Sequence, residues 1–270
     1  MWFAIKYILL IFIIDFCCSK PKHKAWVSYY SKTKEQLKTG SSPANIVDHP
    51  YQILLLIDGQ PKCGGSIIKS NFILTAAHCI FNIYPDQLLI KAGITDRTAN
   101  GGQTEAVRRI IYPENEFIYD TFDSDIAILE LFNHLDFNEK VSPIKLPRPG
   151  EEITQTEMST ATGWGMTDPH DDTLPTILQV VKLPLIGTAA CRRYYGNYIT
   201  DTMFCAGYEE GGKDTCSGDS GGPLVDTDGV LIGITSWGGD ICASIGKPAV
   251  FTKVSYFTKY IIDIINDKSQ

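Results

Sequence analysis

The sequence predicts an all-β fold of two successive β units followed by one C-terminal α-helix. Short apolar runs recur along the chain, and turn signals such as Asp58-Gly59 and Asn100-Gly101-Gly102 separate them. The runs stop at a proline-rich segment, resume beyond it, and give way to a helical period at the end of the chain. Short strands at this spacing are typical of β-sandwiches or barrels. A chain of 270 residues has room for both units.

The two β units are predicted from runs that are rich in aliphatic residues. In the first unit these runs are 53–57, 66–68, 72–76, 88–92 and 126–131. A junction near residues 138–150 contains Pro143, Pro147 and Pro149, which disfavour regular strands. In the second unit the runs are 160–164, 224–225, 230–235 and 250–254.

The last element is predicted to be an amphipathic α-helix. Its apolar residues recur every three or four positions, with polar residues between them. They are Tyr256, Phe257, Tyr260, Ile261, Ile264 and Ile265. We expect this helix to dock on the second β unit.

Residues 1–19 have the features of a secretory signal peptide. Lys6 lies within an apolar run from Trp2 to Ile14, and small residues up to Ser19 offer a cleavage region. The run is short for a membrane span. An uncleaved anchor, and hence a membrane-tethered protein, is the alternative. Cleavage predicts a secreted, extracellular protein without membrane attachment.

Residues 20–38 are predicted to form a basic leader, and the folded domain is expected to span residues 39–270. Polar residues dominate the leader, which has little with which to fill a core. Residues 1–38 contain seven lysines against Asp15 and Glu35, so the rest of the chain carries 17 basic and 29 acidic residues, a formal net charge of −12. This acidic charge argues against nucleic acid as a partner.

The cysteines support an exported protein. Cys17 and Cys18 leave with the signal peptide, and six cysteines remain. Six cysteines in an exported chain suggest three disulfides, although spacing alone leaves the pairing open. A zinc site is the weaker alternative, because the sequence has no CxxC pair and only His78 neighbours a cysteine, Cys79.

The segment Gly218-Asp219-Ser220-Gly221-Gly222-Pro223 contains the candidate nucleophile, Ser220. A serine hydroxyl reacts poorly unless a base removes its proton and the backbone presents it to the substrate. The glycines permit a tight bend, and they let the amides of Gly218 and Ser220 point together at a developing oxyanion. Taken alone, the segment is also compatible with a glycine-rich turn between strands.

Two further residues complete a candidate catalytic triad. His78 ends the segment Leu74-Thr75-Ala76-Ala77-His78, where small neighbours leave room for the imidazole, although a lone histidine is more often structural. Asp125 opens the apolar run Asp125-Ile126-Ala127-Ile128-Leu129, and a buried carboxylate needs a hydrogen-bonding partner. The chain order is that of the chymotrypsin-type triad, with Ser220 as nucleophile, His78 as general base and Asp125 orienting the histidine.

Together these motifs resemble those of the trypsin/chymotrypsin family of serine proteases over residues 50–265. Supporting matches are Pro50-Tyr51-Gln52, Cys63-Gly64-Gly65-Ser66, Thr162-Gly163-Trp164-Gly165 and Ser236-Trp237-Gly238. The resemblance implies two packed antiparallel six-stranded β-barrels with the active site in the cleft between them. It also implies three disulfides: Cys63–Cys79, Cys191–Cys205 and Cys216–Cys242. We expect a monomer without a cofactor, open to protein inhibitors.

The resemblance further implies cleavage of proteins and peptides after Arg or Lys. Asp214 holds the position at the base of the family's specificity pocket, where a substrate cation offsets the cost of a buried carboxylate. The other implied substrate-binding residues are Ser236, Trp237, Gly238 and Ala249. Ile241 and Ala249 replace glycines that usually form the pocket walls, and we expect both to narrow the slot.

Activation is the point at which the sequence departs from the family. Family members gain an Ile-Val-Gly-Gly terminus whose ammonium pairs with the aspartate before the nucleophile, here Asp219. The corresponding positions are Lys38-Thr39-Gly40-Ser41. We expect a cut near Lys38; an inactive or zymogen-locked homologue with a binding or regulatory role is the alternative. Ile94 replaces the first glutamate of the family's calcium loop, so no metal is expected.

Overall fold

The computed structural model describes residues 39–153 and 157–267 of the chain. Over these residues the chain forms two closed antiparallel β-barrels of six strands each, which confirms the predicted fold class. The predicted signal peptide, 1–19, and leader, 20–38, lie outside the described residues. Among the helices that are described, none has both the length and the apolar character needed to cross a bilayer.

The first barrel follows a two-residue strand, β1 (Ser42–Pro43). Its strands are β2 (Gln52–Ile57), β3 (Gln60–Lys69), β4 (Phe72–Thr75), β5 (Leu88–Ala92), β6 (Gln103–Ile111) and β7 (Ala127–Leu131). They close in the order β2-β3-β4-β7-β6-β5. All five predicted runs fall in or beside a strand. The sequence prediction missed β6, whose charged and partly exposed residues interrupt any apolar run.

The second barrel contains the remaining strands. They are β8 (Met158–Gly163), β9 (Gln179–Ile186), β10 (Met203–Ala206), β11 (Pro223–Val225), β12 (Leu231–Trp237) and β13 (Ala249–Lys253). Strand β1 adds to its edge by pairing with β9, so the amino-terminal segment is attached to the second barrel before the chain enters the first. A short helix, α1 (Thr188–Tyr195), connects β9 to β10.

The C-terminal helix is α2 (Val254–Asn266), as the periodicity predicts. Its docking was predicted incorrectly in part. Val254, Phe257 and Ile261 pack in one apolar cluster with the core of the first barrel, and residues of β11 and β12 join the same cluster. Lys69 of β3 also donates a 2.8 Å hydrogen bond to the carbonyl of Ile265. The helix therefore packs on both barrels and not on the second alone.

Three disulfides tie loops to this framework, and they have the pairings that the resemblance implied. Cys63–Cys79 joins β3 to the short 3-10 helix Ala77–Cys79. Cys191–Cys205 fixes α1 to β10, and Cys216–Cys242 joins two loops of the second barrel.

The barrels touch closely where two glycines face one another. The Gly64 amide in β3 donates a 2.7 Å hydrogen bond to the Ser220 carbonyl. A Cβ on Gly64 would lie only 3.0 Å from the Cα of Gly222. Because no side chain separates the two segments, Ser220 is placed at the edge of the first barrel.

Candidate active site

The first barrel places His78 and Asp125 side by side. Strand β4 ends at Thr75, directly before the 3-10 helix that carries His78, and Asp125 lies just before β7. Thr75 at the end of β4 pairs with Ala127 at the start of β7. His78 and Asp125, which lie just beyond these two positions, therefore emerge at the same edge of the sheet. The Nδ1 atom of His78 lies 2.7 Å from Asp125 Oδ2, and its backbone amide donates to Oδ1 over 2.8 Å.

The other imidazole nitrogen, Nε2, lies 3.7 Å from the sulfur of Cys79, which is bonded in a disulfide and has no proton to donate. When Nδ1 carries the proton that is shared with a carboxylate, Nε2 is the acceptor. Asp125 is fully buried, and Ser236 Oγ of β12 donates to its Oδ2 over 2.5 Å. The carboxylate thus has a partner from each barrel, and it can stabilise a protonated imidazole without becoming protonated itself.

Ser220 lies in a tight bend between Cys216 and Pro223. Gly218 has φ of +99°, a backbone conformation that side-chain-bearing residues rarely adopt. The Asp219 amide donates to the Cys216 carbonyl over 2.9 Å. Within the described part of the chain, the amides on either side of it, those of Gly218 and Ser220, have no acceptor. Two such amides can donate to one oxyanion.

A cavity of about 210 Å³ is lined by both Ser220, which is partly exposed, and Asp214, which is buried. It is lined by Ser220, by the loop 214–217, by Thr235, Ser236, Trp237, Gly238 and Gly239, and by Cys242 and Ala249. The structure therefore brings all five sequence-predicted substrate-binding residues to one cavity. Ser236 belongs to the cavity wall as well as to the hydrogen bond with Asp125.

Asp214 is held by backbone amides alone. Its two oxygens accept from Thr215 and Ala243, each over 2.8 Å, and the residue is 4% exposed. Burial raises the pKa of Asp214 to about 7, although these amides oppose the shift. Among the described residues that line the cavity, none is basic. A cation entering the cavity would therefore stabilise the ionised carboxylate.

The two predicted narrowing residues behave differently. Ala249 is 2% exposed and lines the cavity, so its methyl group does occupy part of the slot. Ile241 is 43% exposed and does not line the cavity. The expectation that Ile241 narrows the slot was wrong, because the loop before Cys242 turns its side chain outward into solvent.

Asp219, like Asp214, is an enclosed carboxylate that has no cationic partner in the described residues. The residue is partly accessible overall, but its carboxylate lies against Gly163 and Gly165, where a Cβ would collide with it. The amides of Gly165 and Cys216 donate to it over 2.8 and 3.0 Å. Burial raises the pKa of Asp219 to about 6. Nearby, Thr39 is buried, its amide donates to the Thr167 carbonyl, and its carbonyl accepts from Asp214.

Two features near the triad were not predicted. Phe122 stacks on the His78 imidazole, with ring centroids 4.8 Å apart and planes inclined by 18°. The only sequence signal is an aromatic residue three positions before Asp125. The Ser236–Asp125 hydrogen bond was also missed, because nothing in the sequence links β12 to the start of β7.

The cluster Cys63, His78 and Cys79 has the composition of a metal site, but its chemistry does not allow one. Both thiols are consumed in the Cys63–Cys79 disulfide, and a disulfide sulfur is not a thiolate ligand. The zinc alternative therefore has no support in this part of the structure.

Comparison with known proteins agrees with the geometry. The family model described as Trypsin matches residues 38–261. The chain therefore belongs to the trypsin family and is a serine protease. It is 43% identical to Trypsin-1 of Astacus astacus over 235 residues, which cover 82% of this chain and 97% of the relative. It is 42% identical to Trypsin of Phaedon cochleariae over 226 residues, which cover 82% and 86%.

Proposed function

We propose that this serine protease is a secreted endopeptidase that hydrolyses peptide bonds after Arg or Lys. The observation that carries the proposal is one cavity that is lined by both the partly exposed Ser220 and the buried carboxylate of Asp214. A long cationic side chain that reaches Asp214 would bring the bond next to it to the nucleophile. Both relatives named above are called trypsins, which supports the same specificity.

The proposed mechanism assigns each triad residue one task. Ser220 Oγ attacks the carbonyl carbon while His78 Nε2 takes the hydroxyl proton, and the amides of Gly218 and Ser220 donate to the oxyanion. The imidazolium, stabilised by Asp125, returns the proton to the leaving amine as the C–N bond breaks. Water then attacks the resulting acyl-enzyme with His78 again as base, which releases the carboxylic acid and restores Ser220.

In this proposal, the buried charge of Asp214 in the cavity selects the substrate. A Lys or Arg side chain loses hydration on entry and gains a charge-assisted contact with Asp214. A neutral side chain leaves the buried carboxylate unpaired, which is costly. The proposed substrates are therefore proteins and peptides with Arg or Lys at the cleavage site. We also propose a monomer that protein inhibitors can block by filling the same cavity.

The first test is direct identification of the cleaved bonds. The chain is expressed in full in secreting cells, the secreted protein is incubated with a denatured protein mixture, and new termini are read by mass spectrometry. We expect Arg or Lys before nearly every cut, and no cuts in the matched Ser220→Ala protein. Cuts dominated by aromatic or aliphatic residues would contradict the proposed specificity.

We further propose that residues 1–19 are removed on export and that full activity requires removal of the leader by a cut at or next to its predicted boundary between residues 38 and 39. Asp219 supports this proposal, because its enclosed carboxylate meets no cation in the described residues and a new terminal ammonium would supply one. Thr39 refines it. Its amide already donates to Thr167 and its carbonyl accepts from Asp214, so the residue before Thr39 is the better source of that ammonium. We therefore favour a cut after Leu37, which leaves Lys38 as the first residue, over a cut after Lys38.

Engineered cleavage separates the two cuts. A site for an exogenous protease is placed so that cleavage leaves either Lys38 or Thr39 as the first residue, and activity is followed during cleavage. We expect activity to rise most for the Lys38 terminus, and Asp219→Asn to remove the rise. Full activity in a chain that still begins near Lys20 would contradict leader removal as the activating step.

A further inference from the structure

Two of the three residues before Asp125 have an unusual backbone conformation. Phe122 and Ser124 have φ of +54° and +55°, in the left-handed region that bulky residues avoid. Such conformations persist only where surrounding contacts enforce them, and they concentrate at functional sites. We therefore expect a specific contact to hold the segment 122–124 in this conformation.

Asp123 supplies that contact, and its partners lie on the other barrel. Its Oδ1 accepts from the hydroxyls of Thr200 and Thr202, each over 2.7 Å, and from the Ser124 amide over 3.0 Å. The two hydroxyls are 2.8 Å apart. Thr202 is itself fixed, because its carbonyl accepts from the Lys253 amide at the end of β13. We refer to Asp123, Thr200 and Thr202 as the inter-barrel clamp.

The clamp adjoins the residue that stacks on His78. Phe122 has a left-handed backbone and directly precedes Asp123. Its ring stacks on the His78 imidazole with centroids 4.8 Å apart, and Tyr119 packs against it in a T-shaped contact at 5.7 Å. The imidazole is thus held by Asp125 at one edge and by an aromatic ring on one face.

We propose that Asp123 is a positioning residue that acts through Phe122 and Asp125 to fix the imidazole plane of His78. General-base catalysis depends on geometry, and a displacement of about 1 Å can cost roughly 100-fold in rate. The clamp is suited to this task because it binds the segment carrying Asp125 directly to the barrel that carries Ser220. The inference rests on the proposed function for its kinetic consequences, but the geometry it describes does not.

The test compares clamp variants with a matched control. Asp123→Ala removes the acceptor, Thr200→Val with Thr202→Val removes both hydroxyls at similar shape, and Asp123→Asn keeps an acceptor oxygen. The control is Asp201→Ala, because Asp201 lies between the two threonines but bonds Arg192 at the surface. We expect kcat per titrated active site to fall about 10- to 100-fold in the first two variants, with KM changed less than about twofold. Asp123→Asn is expected to restore most of the activity, and Asp201→Ala to retain it.

A spectroscopic readout makes the test independent of activity. In the full chain labelled with ¹⁵N-histidine, the Nδ1 proton of His78 reports its bond to Asp125. We expect its resonance to shift or broaden in the clamp variants and to stay unchanged in Asp201→Ala. If the wild-type chain hydrolysed nothing, the proposed function would fail and this readout would still decide the inference.

Three outcomes would overturn the proposal. The first is wild-type kcat and an unchanged His78 resonance in both clamp variants, and the second is an equal loss in Asp201→Ala. The third is a fall in kcat that Asp123→Asn does not relieve. If Asp123→Ala does not fold, as judged by thermal unfolding, the double threonine variant provides the answer.

Discussion

Two buried carboxylates, one on each side of the cleft, differ in the partners that they have. Asp125 accepts hydrogen bonds from the imidazole and amide of His78 and from the Ser236 hydroxyl. Asp214 accepts only from the backbone amides of Thr215 and Ala243, and burial raises its pKa to about 7. The first carboxylate has an imidazole partner within the protein, whereas the second has no cationic partner among the described residues. Under the proposed function, Asp125 orients the histidine and Asp214 selects the substrate.

The largest expected effect comes from removing the proposed nucleophile, Ser220, or the proposed general base, His78. We expect Ser220→Ala and His78→Ala each to lower kcat roughly 10⁴- to 10⁶-fold, because proton transfer and attack act as one unit. For the same reason the double variant is expected to be no worse than either single variant. Rates are measured with an Arg-containing chromogenic peptide, and thermal unfolding checks the fold. Substantial hydrolysis by purified Ser220→Ala would contradict the assignment.

The next largest effect is expected from Asp214, the second carboxylate of the comparison. Asp214→Ser is expected to lower kcat/KM for Arg and Lys peptides about 10³- to 10⁵-fold, because a buried charge partner is lost. Peptides with an aromatic residue at the same position should change far less. Asp240→Ser is the matched control, because Asp240 is exposed at the nearby surface. A uniform loss across all peptides would show that Asp214 supports the fold and not the selection.

The pH dependence of cation binding sharpens the difference further. Below pH 7 the empty cavity holds Asp214 largely protonated, since its pKa is raised to about 7. A bound cation favours the ionised form, so binding must release this proton. We therefore expect benzamidine affinity to rise about tenfold per pH unit below pH 7 and to level off above it. Calorimetry in buffers of different ionisation enthalpy measures both affinity and proton release. Asp214→Ser should bind weakly and with a flat profile.

The smallest effect concerns the shape of the cavity. Ala249→Gly removes a methyl group that lines the cavity, and we expect kcat/KM for Arg peptides to rise about 3- to 10-fold. Ile241→Gly is the matched control, because Ile241 faces solvent and should leave kcat/KM within about twofold. Equal gains in both variants would mean that loop flexibility controls turnover, and not the volume beside Asp214.

Periodicity and motif spacing were sufficient for most of the fold. Strands such as β5 and β7 are rich in aliphatic residues, and the helix α2 has a clear period, so each was visible in the sequence. Strands β6, β9 and β10 were missed. The faces of β6 and β9 are partly exposed, β9 contains Pro184 at a position that usually demotes a strand, and β10 is only four residues long. The partner of α2 was also misjudged, since periodicity defines an apolar face and not what covers it.

The candidate site was likewise predictable only in part. Residue types and their order were enough to nominate His78, Asp125 and Ser220, because few arrangements give such a motif set. Side-chain direction was not accessible, and so Ile241 was assigned to a wall that it does not form. The left-handed backbone at Phe122 was equally hidden, because a non-glycine residue gives no local signal of positive φ. The neighbouring Asp123 bonds two threonines that lie 77 and 79 residues away in the chain, which no local pattern could reveal.

The position of α2 has a consequence for how the protein is made. The strands of the barrel that carries His78 are formed by residues 52–131. Val254, Phe257 and Ile261 of α2 nevertheless belong to its apolar cluster. A ribosome delivers the chain from the amino terminus, so the first barrel is synthesised long before the residues that complete its core. During translation its apolar end remains uncovered, and the protease acquires its final packing only when the last helix leaves the ribosome.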